Sequence, residues 1–310
     1  MPSDALLSDL RSIVANDLPA RLPGTVAFII GANPSKGARS PKLWNAAFET
    51  LGIDGEMFPL DVNKVDLTAV LEVLEADQRV VGAAVAAPYK ADFAQLLTGR
   101  LSAAAHHCGS INLMSREVSR SSGAVRFDGL ERFTGSNTDG IAAVESLREV
   151  RHGFADAPIL VLGCGGTGRA VIASLLNEVA PANLTVAIRS AHHQEWLDSF
   201  GIASCSTTLA GIDLSQLRVL INCTTIGWGS EADKSPLNEV QLASLHPDCT
   251  VFDVIYQPDP TLLLQRAKAC GLHALSGSRM NLMQAVIAFV TANRGADAQR
   301  VAAAMQQAAA

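Results

Sequence analysis

The 310-residue chain has few charges, and none gathered by sign: Asp, Glu, Lys and Arg make up 17% of it, and the formal charge is −6. No lysine- and arginine-rich block occurs, so a nucleic-acid binder is not expected. No apolar run reaches the ~20 residues needed to span a bilayer, so no membrane partner is expected. The first residues, MPSDALLSDLRSIV, carry early acids and lack a basic start with an apolar centre, so no signal peptide is read there and the expected location is cytoplasmic. Cysteine pairs at ligand spacing are also missing. Cys108, Cys164, Cys205, Cys223, Cys249 and Cys270 are scattered without CxxC, which leaves reduced thiols as the expectation and no metal site. The adjacent pairs His106-His107 and His192-His193 cannot place both rings on one helix side. What remains is a chain that is 48% hydrophobic and long enough for two domains with separate cores.

The segment PILVLGCGGTGRAV, Pro158 to Val171, carries the most information. Four apolar residues, Ile159 to Leu162, read as a short buried strand. Gly163, Gly165, Gly166 and Gly168, with Thr167 among them, then lead into a helix-forming stretch. Strand, glycine turn and helix in this order point a helix N-terminus and backbone N–H groups at a phosphate. Gly163 permits the tight turn, Gly165 lets a pyrophosphate approach, and Gly168 lets the helix pack on the strand. A dinucleotide site is therefore expected here.

On both sides of this turn apolar strand patterns alternate with helical ones. Residues 4–17 read as an amphipathic helix. Val26–Gly31 reads as a buried strand, followed by a helix from about Ser40, taken as its N-cap, with Pro41 at the first helical position. A strand near Met57, a helix over about 66–76 and a strand over Val80–Ala87 follow, the last stopped by Pro88. Glu117–Thr134 is polar and turn-rich. A helix over 138–150 and a short linker lead to the second series: strands at 159–163, 184–188, 218–222 and 250–254, and helices over 166–179, 260–270, 279–292 and 295–309. Such alternation implies α/β architecture with a parallel sheet covered on both faces.

Three further residues have chemical placement. Lys90 follows a buried strand and Pro88, where open α/β sheets bind ligands. Asp139 opens a helix in GSNTDG, where the helix dipole favours a carboxylate. Gln284 lies where a glycine turn leads into a helix. Singly, each reads as a surface or helix-end residue.

Together with the glycine turn they fall in eight stretches, in order: GANPSKGARSPKLWNAAFETLGID, VAAPYK, GSIN, GSNTDGIAA, GCGGTGRA, INCTTIGW, DVIYQPDPTLLLQRA and GSRMNLMQA. In these the chain resembles the shikimate/quinate dehydrogenase family over most of its length. The resemblance implies reversible oxidation of a ring hydroxyl to a ketone, with hydride passing to a nicotinamide. Lys90 and Asp139 would handle the hydroxyl proton. Ser40, Asn112, Tyr256 and Gln284 would hold a hydroxylated ring carboxylate. Gly163, Gly165, Gly166, Thr167, Gly168, Arg189, Ser190, Thr224 and Gly277 would hold the dinucleotide. It also implies two domains with a cleft between them: residues 1–137, completed by 278–310, for substrate, and 138–277 for the dinucleotide. A second copy of the chain, as a homodimer, is a candidate partner.

The chain departs from the family at the substrate. Ala38 and Ala86 stand where the family has a serine and a threonine, and Trp44 where it has a histidine. A site that binds hydroxyls loses about 1–3 kcal/mol per missing partner. Arg39 or Lys36 are the available replacements for a carboxylate partner. A divergent paralogue is therefore expected, with quinate or aminoshikimate oxidation, or dinucleotide sensing without catalysis, as alternatives. At the end of the second strand of the glycine-turn unit, Ile188-Arg189-Ser190 offers no acid for a ribose 2′-hydroxyl. It resembles a degraded Asn-Arg-Thr clamp, which favours NADP over NAD.

Overall fold

Residues 4–116 and 132–309 are described in the computed structural model of the chain. Two compact units divide it: Met1–Thr138 with Leu282–Ala310, and Asp139–Asn281.

The first unit begins with α1 (Ala5–Arg11), β1 (Thr25–Gly31), α2 (Ser40–Leu51), β2 (Gly55–Asp61), α3 (Leu67–Ala76), β3 (Val80–Val85), α4 (Lys90–Leu96), α5 (Ala103–Cys108), β4 (Leu113–Arg116) and β5 (Phe133–Ser136). Its sheet runs in the order β2-β1-β3-β4-β5. The first three strands are parallel, as expected, but β4 and β5 join antiparallel. Gly82 accommodates the change, because a side chain there would put its Cβ 2.6 Å from the Met114 carbonyl. The predicted N-terminal helix is shorter than residues 4–17. Beyond it the chain turns to pair with the end of β2: Ala15 N–H donates to the Asp61 carbonyl at 2.8 Å, and Val14 bridges Val62. α2 differs at its start. Arg39 is the N-cap, no side chain caps it, and Ser40 lies within the helix. Of the turn-rich stretch, 117–131 lies outside the described residues, and Phe133 and Thr134 belong to β5.

Central β1 is buried on both faces, as befits a parallel strand covered on two sides. With a side-chain period of two, Val26, Phe28 and Ile30 meet Leu6, Leu10, Leu71 and Leu74 of α1 and α3 on one face. Ala27 and Ile29 turn to the other.

The second unit holds α6 (Asp139–Val150), β6 (Ile159–Leu162), α7 (Gly166–Leu175), β7 (Leu184–Ile188), α8 (Gln194–Asp198), β8 (Ala203–Ser206), β9 (Val219–Asn222), α9 (Glu239–Ala243), β10 (Thr250–Asp253), α10 (Leu262–Ala269), β11 (His273–Ser276) and the start of α11 (Gly277–Ala292). Its six strands are all parallel, in the order β11-β10-β9-β6-β7-β8. Strand order reverses at β6, between β7 and β9. Such a switch point opens a crevice at the strands' C-terminal ends, where open α/β sheets take ligands.

The rest of α11, with α12 (Ala298–Ala309), returns to the first unit. Phe289 of α11 and Val301 and Met305 of α12 complete the second face of its core, with Trp44 and Phe48 of α2. Trp44 and Phe289 meet edge to face, ring centroids 5.0 Å apart.

Candidate active site

In the first unit the site forms where β3, β4 and α11 come together. Asn112, 6% exposed, precedes β4. Its backbone N–H donates to the Ser136 carbonyl at 3.1 Å, and its carbonyl accepts from Val85 at 2.8 Å, so β3 and β5 both fix it. Its amide Nδ2 donates to Thr138 Oγ1 at 2.9 Å and to Gln284 Oε1 at 3.4 Å. Its Oδ1 accepts the Thr138 N–H at 2.9 Å. The Thr138 hydroxyl donates to the Gln284 carbonyl at 3.2 Å. Asn112 and Gln284, some 170 residues apart in the chain, are thus tied together, and Thr138 is the clasp. Sequence reasoning missed Thr138, although it lies in the GSNTDG stretch. Gln284 lies two turns into α11, since that helix begins at Gly277 itself.

Lys90 opens α4 after Tyr89, whose hydroxyl donates to the Val62 carbonyl at 2.8 Å. The Lys90 carbonyl accepts from the Ile111 N–H at 3.0 Å, which holds the start of α4 beside the residue preceding Asn112. The Lys90 side chain is half-buried, rather than a freely solvated surface lysine.

Ser40 lies half-buried in the first turn of α2. Ala38 and Ala86 pack against the apolar cluster around Trp44. Trp44 itself is fully buried, a core residue. Of the two candidate replacement charges, Arg39 donates to the Ala309 carbonyl at 3.2 Å and Lys36 is exposed.

In the second unit the glycine turn follows β6. Gly163 has φ +93°, a left-handed conformation that favours glycine. A Cβ at Gly168 would come within 2.4 Å of the Gly163 carbonyl, so α7 lies directly on the turn. At Gly165 an added Cβ would meet nothing within 4 Å, so the outer side of the turn is open. Gly166 and Thr167 form the first turn of α7, whose positive end faces this opening. The open cradle, the switch point and the helix end all fit a dinucleotide's diphosphate.

Thr224 stands over the turn from the neighbouring β9, its Cγ2 at 3.0 Å from a Cβ built on Gly163. Asn222 fixes it, its Oδ1 accepting from the Thr224 hydroxyl at 2.7 Å and the Thr224 N–H at 3.1 Å. Asn222 in turn donates to Asp253 Oδ1 at 3.0 Å, and Thr261 Oγ1 donates to Asp253 Oδ2 at 2.7 Å. Asp253 is fully buried, and that burial raises its pKa to about 6 against the pull of these donors. Asn222, Asp253 and Thr261 lay within the INCTTIGW and DVIYQPDPT stretches but were not singled out. They hold the loop bearing Tyr256, which is half-buried. Gly277 packs closely, an added Cβ falling 2.2 Å from the Val254 carbonyl. Asp139, 6% exposed, is the first residue of α6. Its neighbour Gly140 meets α7 so closely that a Cβ would sit 2.1 Å from the Ala170 carbonyl.

At the end of β7 a shallow recess of about 360 Å³ is lined by Arg189, Ser190, Gln194, Ser204, Cys205 and Ser206, among others. Its lining carries basic and hydroxyl groups, and no acid is among the lining residues.

Residues 29–114 match the family described as the shikimate dehydrogenase substrate binding domain. The shikimate dehydrogenase (NADP(+)) of Pyrococcus furiosus is 33% identical, over 84% of this chain and 87% of its own. That of Rhodospirillum rubrum is also 33% identical, over 86% and 89%. Among solved structures, a shikimate dehydrogenase in complex with NADP+ superposes with TM-score 0.77 at 25% identity, covering 94% of this chain and 99% of the other. The Thermus thermophilus enzyme in complex with NADP(H) and shikimate gives TM-score 0.74 at 25% identity, covering 92% and 99%.

Proposed function

The chain belongs to the shikimate dehydrogenase family, and we propose that it catalyses the NADP-dependent, reversible oxidation of shikimate, or of a related hydroxylated ring carboxylate, to the 3-keto acid. The observation that carries this reading is the bonded set Asn112–Thr138–Gln284, in a unit whose residues 29–114 match the family's substrate domain. These amides present donors and acceptors suited to ring hydroxyls. Lys90, held beside them by its main chain, would donate from its ammonium to the oxygen that gains charge as the carbonyl forms or is reduced. Asp139, buried at the start of α6, would be the carboxylate that shares the handling of the hydroxyl proton. Tyr256 and Ser40 would complete the hold on the substrate.

The dinucleotide, when bound, supplies the hydride acceptor. Gly163, Gly165, Gly166, Thr167 and Gly168 would hold its diphosphate, Thr224 and Gly277 would lie along the nicotinamide half, and Arg189 and Ser190 would hold the 2′-phosphate. The residue classes at these positions, and the open cradle at Gly165, support this assignment.

A second reading concerns the substrate alone. The Ala38 and Ala86 methyls sit against the apolar cluster where the family has hydroxyls, which favours a ring acid other than shikimate. Initial rates with shikimate and quinate, each with NADP and NAD, decide between the two. Fast turnover of shikimate with NADP supports the first; slow turnover with tight NADP binding supports the second. Absence of both binding and turnover overturns the proposal. In Lys90→Ala, turnover should be abolished while NADP affinity stays within about twofold, since Lys90 belongs to the other unit from the glycine turn. Undiminished turnover would remove Lys90 from the mechanism.

A further inference from the structure

At the other end of the first unit's sheet from Lys90, a recess of about 470 Å³ lies where β1 and β3 begin. Thr25 and Val81 line it from those strands, Leu51 and Ile53 from the end of α2, and the connection between α11 and α12 closes it. All of these residues belong to the first unit. The connection is held at both ends. Asn293 closes α11, its main-chain N–H and its Nδ2 both donating to the Phe289 carbonyl, at 2.7 and 3.1 Å. Gly295 takes φ +82°, a left-handed turn that glycine allows. Asp297 Oδ1 accepts the N–H groups of Gln299 at 2.9 Å and Arg300 at 3.1 Å, which caps α12. At the floor, Leu51, Ile53, Val81, Ala292 and Ala296 pack on the cluster around Trp44 and Phe289 but stay partly exposed. The end of α11 lies directly on β3, an added Cβ at Gly82 falling 3.2 Å from Ala292 Cβ. The small residues Ala292, Gly295 and Ala296 give the recess its room.

Two guanidiniums flank this apolar floor. Arg300 Nη2 donates to the Thr50 carbonyl of α2 at 2.7 Å, and Arg294 Nη2 donates to the Arg116 carbonyl of β4 at 3.1 Å. A main-chain bond thus fixes each head and engages only part of its donor set. Arg79, Arg100, Arg148 and Arg279 each pair with a carboxylate. Among the described residues, Arg294 and Arg300 pair with carbonyls alone. Asp297 is the only acid among the described lining residues, and its Oδ1 is engaged by the α12 cap. The recess therefore presents positive charge beside apolar surface, in a chain whose net charge is −6. A purely apolar molecule would strip water from the guanidiniums without replacing it, and a bare inorganic anion would leave the floor in water. A carboxylate accepts parallel N–H bonds from a guanidinium, and a single ring fits the volume. We propose that this recess binds a small monocarboxylate with an apolar ring, at a site distinct from the one for the hydroxylated ring acid. It does not read ring hydroxyls as Asn112 and Gln284 do, since the Nδ2 of its one amide, Asn293, is engaged at the end of α11.

The test is equilibrium binding of benzoate, benzamide and acetate to the full chain. Benzamide keeps the ring and loses the charge, whereas acetate keeps the charge and loses the ring. Benzoate should bind more tightly than either, by about tenfold or more. Arg294→Gln combined with Arg300→Gln should weaken benzoate by about tenfold and bring it level with benzamide. Because both arginines also tie helix and strand ends, Ala296→Leu serves as an independent variant. It fills the recess, keeps both guanidiniums, and should weaken benzoate by about tenfold while leaving acetate unchanged. Urea midpoints establish that each variant is folded. Gln284→Ala, at the site proposed for the hydroxylated acid, should leave benzoate affinity as it is. Benzoate bound no more tightly than benzamide overturns the inference. So does affinity that survives either the paired arginine change or Ala296→Leu, and so does a comparable loss in Gln284→Ala, which would put benzoate at the other site. None of these readouts uses turnover or NADP, so they stand apart from the proposed function.

Discussion

Asp253 is a carboxylate with no exposed surface, held by three donors that do not fully offset its burial. Because its pKa is raised to about 6 in the folded chain, from about 3.9 in an unfolded one, the native state binds the proton more tightly. The contribution of this group to stability is therefore fullest below about pH 4 and is lost as pH rises through about 6, by about 3 kcal/mol in all. Asp253→Asn keeps the shape, and Thr261 can reverse its hydroxyl to accept from the new amide. The difference in unfolding free energy between variant and wild type should then grow in the variant's favour from pH 4 to pH 6.5. Denaturant titrations across that range check it, and a flat difference would show that Asp253 does not titrate there. Trp44 shows the residue scale in another way. Sequence placed it at a family histidine, but only the structure shows the ring surrounded by Phe48 and Phe289.

Within a single turn, two glycines of one motif have separable physical roles. Gly168→Ala forces a methyl onto the Gly163 carbonyl and should cost about 1–3 kcal/mol of stability, read from urea midpoints. Gly165→Ala meets no protein atom. It should change stability by no more than about 1 kcal/mol, yet weaken dinucleotide affinity about tenfold or more, because the methyl fills the open side of the turn. Equal loss of stability in both variants would contradict the roles given to them. The elements themselves were legible in proportion to their apolar content. Strands with long apolar runs, such as VAFII and ILVL, stand out in the chain. β8, with the sequence Ala-Ser-Cys-Ser, is too polar and too exposed to signal itself. β4 and β5 were missed because nothing local distinguishes an antiparallel addition from a loop; their pairing rests on contacts such as Gly82 with Met114. At the candidate site, the residues proposed to carry the chemistry could be named from their motifs. The buried supports Thr138, Asn222, Asp253 and Thr261 were not, since their roles exist only through partners distant in sequence.

At the scale of the whole molecule, the chain divides into two separately cored units, and the proposed function puts the two ligands on different ones. NADP at a hundredfold excess over its Kd should raise stability by about 2.7 kcal/mol. The accompanying hydrogen-exchange protection should be largest at amides of β6, α7 and β7. Protection centred on β1 to β3 would move the dinucleotide to the wrong unit. The discontinuity of the first unit has a further consequence. Its core needs Phe289, Val301 and Met305, which the ribosome adds after the whole of the second unit. During synthesis the second unit can reach its native state with its full sequence in hand, while Trp44 and Phe48 wait for partners that follow that unit in the chain. Nascent chains halted before α11 would therefore present that aromatic face to chaperones, and emergence of α11 and α12 would be the event that closes it.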